Sequence, residues 1–291
     1  MTRSPWIAAA TLALLCAPAI AQTDSALPID SAAANQNTTQ RPLWELGVGV
    51  AGLRLPDYRG SDQSSAYLLP LPYIVYRGKW LRADREGARA ILLDARGVKV
   101  DLSVAASVPT RSRDNTARQG MPNLPGTFEI GPNANFTLLG SVEGRYRLDL
   151  RLPVRAAVSA QRSPELIGAT FSPHLNLDIA GLGGGWNVGL LTGPLYANRK
   201  YHEHFYGVDA AYATPERAAY NARGGYAGWQ ALAATSRRFG NAWVGGFIRY
   251  DSVRGAVFES SPLVRRNSAV TLGVGVSWVL ARSSELVSAE N

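Results

Sequence analysis

From Leu43 onward, short apolar–polar alternations recur along this chain, broken by Gly, Pro, Asn and Asp. No long stretch repeats at helical spacing. Three segments set the pattern. Val98, Val100, Leu102, Val104 and Ala106 share one face, and Lys99, Asp101, Ser103 and Ser107 the other. Tyr146, Leu148, Leu150, Leu152 and Val154 alternate with Arg145, Arg147, Asp149, Arg151 and Arg155. Val270, Leu272, Val274, Val276, Trp278 and Leu280 alternate with Thr271, Gly273, Gly275 and Ser277. Successive side chains of a strand point to opposite faces, so each segment predicts a strand with one apolar and one polar or small face. Sandwich strands average about 5–6 residues. These run nearer the ~9–11 that a tilted strand needs to cross a bilayer.

Twelve strands are expected, at 44–54, 66–76, 79–85, 88–94, 97–107, 128–138, 143–157, 168–180, 185–192, 226–238, 242–251 and 268–280. An even number suits a bacterial antiparallel barrel. With the N-terminus placed in the periplasm, the connections on that side are short: 77–78, 95–96, 139–142, 181–184 and 239–241. Those on the other side, 55–65, 108–127, 158–167, 193–225 and 252–267, are long, and only 86–87 is short. Short turns on one side and long loops on the other belong to outer-membrane barrels, and a soluble sandwich has no reason to alternate this way. The fold class is therefore an all-β, antiparallel transmembrane barrel over 43–280. Trp44, Tyr76, Trp80, Tyr146, Trp186, Tyr250 and Trp278 sit near strand ends, where interfacial girdles form. Trp243 reads as inward.

The N-terminus changes the compartment. Arg3, the apolar run Trp6 to Ala17 and the small-x-small site Ala19-Ile20-Ala21 make a secretory signal over 1–21. The run is too short for a membrane span. Leu15 is too large for the small residue a lipobox places before its Cys. Residues 22–42, rich in Ser, Thr, Asn, Gln and Ala, read as a flexible leader, and 281–291 as a tail. Cys16 is the chain's one cysteine and leaves with the signal, so thiol chemistry is excluded. The formal charge is +8 and almost all of the basic residues are Arg. Export makes nucleic acid an unsuitable partner; lipopolysaccharide phosphates, peptidoglycan carboxylates or anionic solutes suit the charge better.

Closure makes the first and last strands neighbours, and both turn glycines inward: Gly47 and Gly49, Gly273 and Gly275. Arg145, Arg147, Arg151 and Arg155 point inward from the opposite wall. The expectation is that they reach toward the glycine-lined wall, partnered by Glu45, Asp101 and Asp149, and leave a constricted, anion-friendly or closed lumen. Candidate chemistry is sparse. His202 and His204 lie in the longest outer loop, and two His spaced by one residue on a strand could begin a metal site, but no third ligand is fixed by spacing. His174, in Ser172-Pro173-His174, could serve a hydrolase, yet no Gly-x-Ser-x-Gly elbow occurs. No catalytic residue, metal or cofactor is assigned.

Trp44-Glu45-Leu46-Gly47-Val48-Gly49, Pro56-Asp57-Tyr58-Arg59-Gly60-Ser61, Leu71-Pro72-Tyr73, Phe205-Tyr206-Gly207-Val208, Arg249-Tyr250 and Ser261-Pro262-Leu263-Val264 occur in an order that resembles the MltA-interacting protein (MipA/OmpV) family. The resemblance covers roughly 43–280. Thr271, Gly273, Val276 and Trp278 resemble the assembly signal of outer-membrane barrels, although Val279 to Asn291 follow an aromatic that is usually terminal. The resemblance implies a non-catalytic scaffold linking a murein lytic transglycosylase to a penicillin-binding protein. The residues themselves leave a second reading open, a channel or a surface-binding barrel for small anions or host ligands.

Overall fold

The computed structural model describes residues 40–77, 81–84, 87–95, 98–141 and 144–288. The expected signal and all but the last three residues of the expected leader lie outside them. The described strands are β1 (Gln40–Pro42), β2 (Trp44–Pro56), β3 (Ser64–Arg77), β4 (Leu81–Asp84), β5 (Gly87–Ala95), β6 (Val98–Ala106), β7 (Thr127–Gly140), β8 (Tyr146–Ser159), β9 (Leu166–Phe171), β10 (His174–Gly181), β11 (Trp186–Ala197), β12 (Gly225–Phe239), β13 (Ala242–Ser252), β14 (Ser268–Arg282) and β15 (Leu286–Ser288). No helix among the described residues is long and apolar enough to cross a membrane.

Sequential strands from β2 to β8 pair antiparallel, as do those from β10 to β14. β14 then pairs with β2, from Leu272 opposite Arg54 to Arg282 opposite Glu45, and the sheet closes. β8 pairs with β10 over its first half and with β9 over its second. β9 and β10 thus share one wall position, and the barrel has twelve. The segment 168–180, expected as one strand, is broken at Ser172-Pro173. Pro173 has no N–H to give to a ladder. It belongs to a row of prolines, Pro132 on β7, Pro153 on β8, Pro173 at the β9–β10 break and Pro194 on β11, within about one residue of each other in register. Gly131 and Gly193 sit in this row, and a Cβ there would come within 2.0 Å of the Val154 oxygen and 2.2 Å of the Pro173 oxygen. Adjacent strands approach too closely there for any side chain at the two glycines.

The alternation read from the sequence is the alternation of the wall. Outward positions are apolar and exposed, among them Leu46, Val48, Leu68, Ile74, Leu190, Ile248, Leu272, Val274 and Leu280. An exposed apolar surface this extensive marks a membrane face. Inward positions are buried and mixed. Tyr73, Val75, Trp243 and Val279 pack together inside near the short-turn end, and Leu191, Leu232 and Ala234 pack with Phe247 further along.

The expected leader and tail are not wholly free. β1 pairs with β15, Gln40 opposite Ser288, and carries the β2–β14 pairing past the barrel's short-turn end. Leu43 N–H to Glu285 oxygen (2.9 Å) and Ser283 N–H to Trp44 oxygen (2.9 Å) join the two parts. Three-residue strands leave too few positions for a period-two pattern to register, which is why 40–42 and 286–288 do not stand out as strands in the sequence.

Candidate functional site

At the short-turn end, Glu45 sits inside the barrel between two guanidinium groups, 3.1 Å from Arg77 and 2.9 Å from Arg238. These are its ion-pair partners, not the arginines of β8. Along β8, Arg147 lies 2.9 Å from Asp149, and Arg151 lies 3.7 Å from Asp149 and 3.6 Å from Asp178 on adjacent β10. Thr137 donates to Asp149 at 2.9 Å, and Asn176 to Asp178 at 2.8 Å. Asp101 accepts from Asn133 and Asn135, both at 3.1 Å. Arg155 reaches over β7 to donate to Ser103 at 2.9 Å. Arg145 precedes β8 and is exposed at its end.

The carboxylates that meet Arg147 and Arg151 lie on β8 itself and on adjacent β10 rather than on the glycine-lined wall. Period two puts Asp149 between Arg147 and Arg151 on their own strand, and β10 offers Asp178 next door. These ion pairs of Arg147 and Arg151 therefore run along and between adjacent strands of one wall. Nothing in the spacing of β8 announced Asp178, because it lies on another strand.

The glycine wall is filled from its own side. A Cβ on Gly47 would lie 2.0 Å from the Trp278 oxygen, and one on Gly49 would lie 2.2 Å from the Val276 oxygen. A Cβ on Gly273 would strike the Phe247 ring at 2.2 Å, and one on Gly245 would strike the Trp243 ring at 2.4 Å. On β14, Thr271 and Gly273 face inward, while Val276 and Trp278 face outward.

At the long-loop end the loops 57–63, 107–126, 198–224 and 253–267 pack on one another in a shared apolar cluster. A helix, Arg199–Tyr206, forms the centre of this cap. Asn198 starts it by accepting from the Tyr201 N–H at 3.0 Å. Phe258 and Leu263 are fully buried, and Phe258 stacks on Tyr206 with ring centroids 3.6 Å apart. Hydrogen bonds tie loop to loop. Tyr58 donates to the Leu263 oxygen (2.8 Å), Tyr206 to the Arg59 oxygen (2.9 Å) and Arg118 to the Phe205 oxygen (3.1 Å). Burial raises the hydroxyl pKa of Tyr58, Tyr201 and Tyr206 well above the usual range, with Glu129 adding at Tyr201. Burial also lowers Arg118 to about 10.

Beneath the helix lies a cavity of about 70 Å³, bounded by Arg155, Ser172, His202, Tyr206, Gln230 and Arg249 among others. His202 and His204 do not form a metal pair. Two positions apart on a helix, they point to different sides, and no cluster of potential metal ligands occurs among the described residues. His202 is fully buried, with Nδ1 2.6 Å from the Arg223 oxygen. Burial lowers the pKa of both histidines. His174 is buried on the lumen side, its Nδ1 2.7 Å from the Ser172 oxygen.

A closed antiparallel wall with an apolar outer face and a polar, packed interior defines an outer-membrane β-barrel. The family profile described as MltA-interacting protein MipA matches residues 48–280. The chain belongs to that family. No curated protein sequence matches it. Solved structures similar to it include an outer-membrane channel from Pseudomonas putida F1, 10% identical, covering 86% of this chain and 100% of that one with a TM-score of 0.45. A bacterial polysaccharide outer membrane secretin is 8% identical, covering 81% and 99% with a TM-score of 0.42. Outer membrane phospholipase A from Escherichia coli is 12% identical, covering 83% and 94% with a TM-score of 0.33.

Proposed function

We propose that this barrel is a non-catalytic scaffold that holds a murein lytic transglycosylase, and with it a penicillin-binding protein, against the inner face of the outer membrane. The observation that carries the reading is the family match over 48–280, a family named for interaction with MltA. Two features of the molecule support it. The β1–β15 ribbon projects from the short-turn end, where a periplasmic enzyme would meet the barrel. The opposite mouth is filled by packed loops, which disfavours the alternative of a freely open channel. Arg111, Arg113, Arg199, Arg254, Arg265 and Arg266 are exposed at that capped end and suit lipopolysaccharide phosphates, while the apolar wall takes the lipid bilayer.

Crosslinking in cells, membrane solubilisation, pull-down and mass spectrometry test the scaffold reading. A lytic transglycosylase or penicillin-binding protein is enriched with the full chain and lost when 22–42 and 283–291 are deleted. Recovery of neither enzyme with a folded barrel overturns it and makes conductance in a planar bilayer the next measurement.

A further inference from the structure

We propose that the cavity beneath the cap is a binding site for a small α-hydroxy acid. Its boundary is assembled from the cap helix (Tyr201, His202, Phe205, Tyr206), from Arg59 and Phe258 of two other loops, and from the barrel wall. The charged wall residues are deeply buried: Glu129 is 8% exposed, Arg155 6% and Arg249 6%. A volume of about 70 Å³ exceeds what one water needs and suits a solute of a few heavy atoms.

The polar groups specify what that solute carries. Three guanidinium groups, of Arg59, Arg155 and Arg249, line the cavity. Two carboxylates balance them, Glu129 on the cavity and Asp251 behind it. Asp251 is engaged by Arg59 at 3.0 Å and by Nε and Nη2 of Arg249, each at 2.9 Å. Arg59 also donates to the main-chain oxygens of Ala227 (3.0 Å) and Ser252 (3.4 Å). Glu129 accepts from Thr170 and Tyr201, both at 3.0 Å. Guanidinium groups outnumber carboxylates by one among these five residues, and the printed contacts of Arg249 run through Nε and Nη2 to Asp251, which leaves Nη1 to meet a ligand. That pair of facts calls for an anionic acceptor, and a carboxylate fits a guanidinium best.

The opposite requirement comes from His202. Its Nδ1 faces the Arg223 carbonyl oxygen at 2.6 Å, so Nδ1 carries the proton and Nε2 is an acceptor. Nε2 is buried and has no hydrogen-bond partner among the described residues. A buried acceptor left unmade is costly, so the ligand should bring a donor to it. A hydroxyl supplies the donor without adding to a charge that is already positive, as an ammonium would. A carboxylate with a hydroxyl on the next carbon places both groups within a few bonds, against the apolar sides of Leu195, Phe205 and Phe258.

The test is calorimetric titration of the purified full-length protein in detergent with lactate, acetate and lactamide. Lactate binds, and acetate and lactamide each bind about tenfold more weakly, the ratio expected for one lost hydrogen bond or charge contact. His202→Phe brings lactate down to the affinity of acetate and leaves acetate unchanged. If the variant fails to fold, the lactate-to-acetate ratio of the unaltered protein still decides. Equal affinities for lactate and acetate, or no binding of either by a folded barrel, overturn the proposal; in the second case the cavity holds water alone.

Discussion

Phe258→Ala isolates the cap from the barrel that carries it. The ring is fully buried, stacked on Tyr206 at 3.6 Å with an 8° interplanar angle, and set edge-on to His202 at 4.7 Å. Truncating a buried Phe to Ala costs about 3–5 kcal/mol, transfer and cavity terms together. The ring's partners are cap residues, so the loss falls on cap opening rather than on barrel unfolding. A 3–5 kcal/mol loss is a factor of about two to three and a half orders of magnitude in an opening equilibrium. Native-state hydrogen exchange read by mass spectrometry in nanodiscs measures it directly. Amides of Arg199–Tyr206 and of the 253–267 loop accelerate by that factor, while those of β2, β3 and β14 stay unchanged. Equal acceleration in cap and barrel, or none in the cap, refutes the view that the loops form a separate unit nailed down by this ring.

Three further outcomes are expected. Gly47→Val places a Cβ 2.0 Å from the Trp278 oxygen and blocks β2–β14 closure, so the heat-modifiable folded band is lost on cold gel electrophoresis; a normal band contradicts the seam geometry. Asp149→Asn leaves Arg147 and Arg151 leaning on Asp178 and lowers stability by about 2–3 kcal/mol in urea titrations from lipid vesicles, below the full cost of breaking a buried pair because Arg147 is a third exposed. Acid loosens the cap. Burial lowers the pKa of His202 and His204 below the ordinary 6.5, so the open cap binds more protons than the closed one. Their contribution is complete above 6.5 and falls as pH drops through it, and exchange of helix amides, corrected for intrinsic rate, rises between about pH 7.5 and pH 5.5; a flat or opposite trend refutes this.

The wall was legible because period two is imposed by backbone geometry and lipid outside. Val98 to Ala106, Tyr146 to Val154 and Val270 to Leu280 announced both their state and their faces. Pro173 was visible in the sequence, but alternation continues on either side of it, so the break between β9 and β10 was passed over. Lumen partners were less legible. Asp149 could be matched to Arg147 and Arg151 because they share a strand, whereas Asp178 meets them only through the register of β8 with β10. Glu45 was expected among the β8 arginines but meets Arg77 and Arg238. The cap was least legible. Phe205-Tyr206 carried a family signature with no hint of packing against Phe258, because a helix of eight residues inside a long loop is fixed by partners from three other loops rather than by its own periodicity.

The β1–β15 ribbon joins Gln40 to Ser288, two points almost a whole chain apart. Such a contact closes the longest loop of any strand pairing among the described residues, and it forms only after the intervening wall has brought both ends to one place. Its presence is therefore a certificate of completion. A barrel stalled before β14 meets β2 displays two loose ends instead of a ribbon. An enzyme that grips the ribbon would consequently be recruited only to finished barrels, and murein remodelling would be licensed by successful membrane assembly.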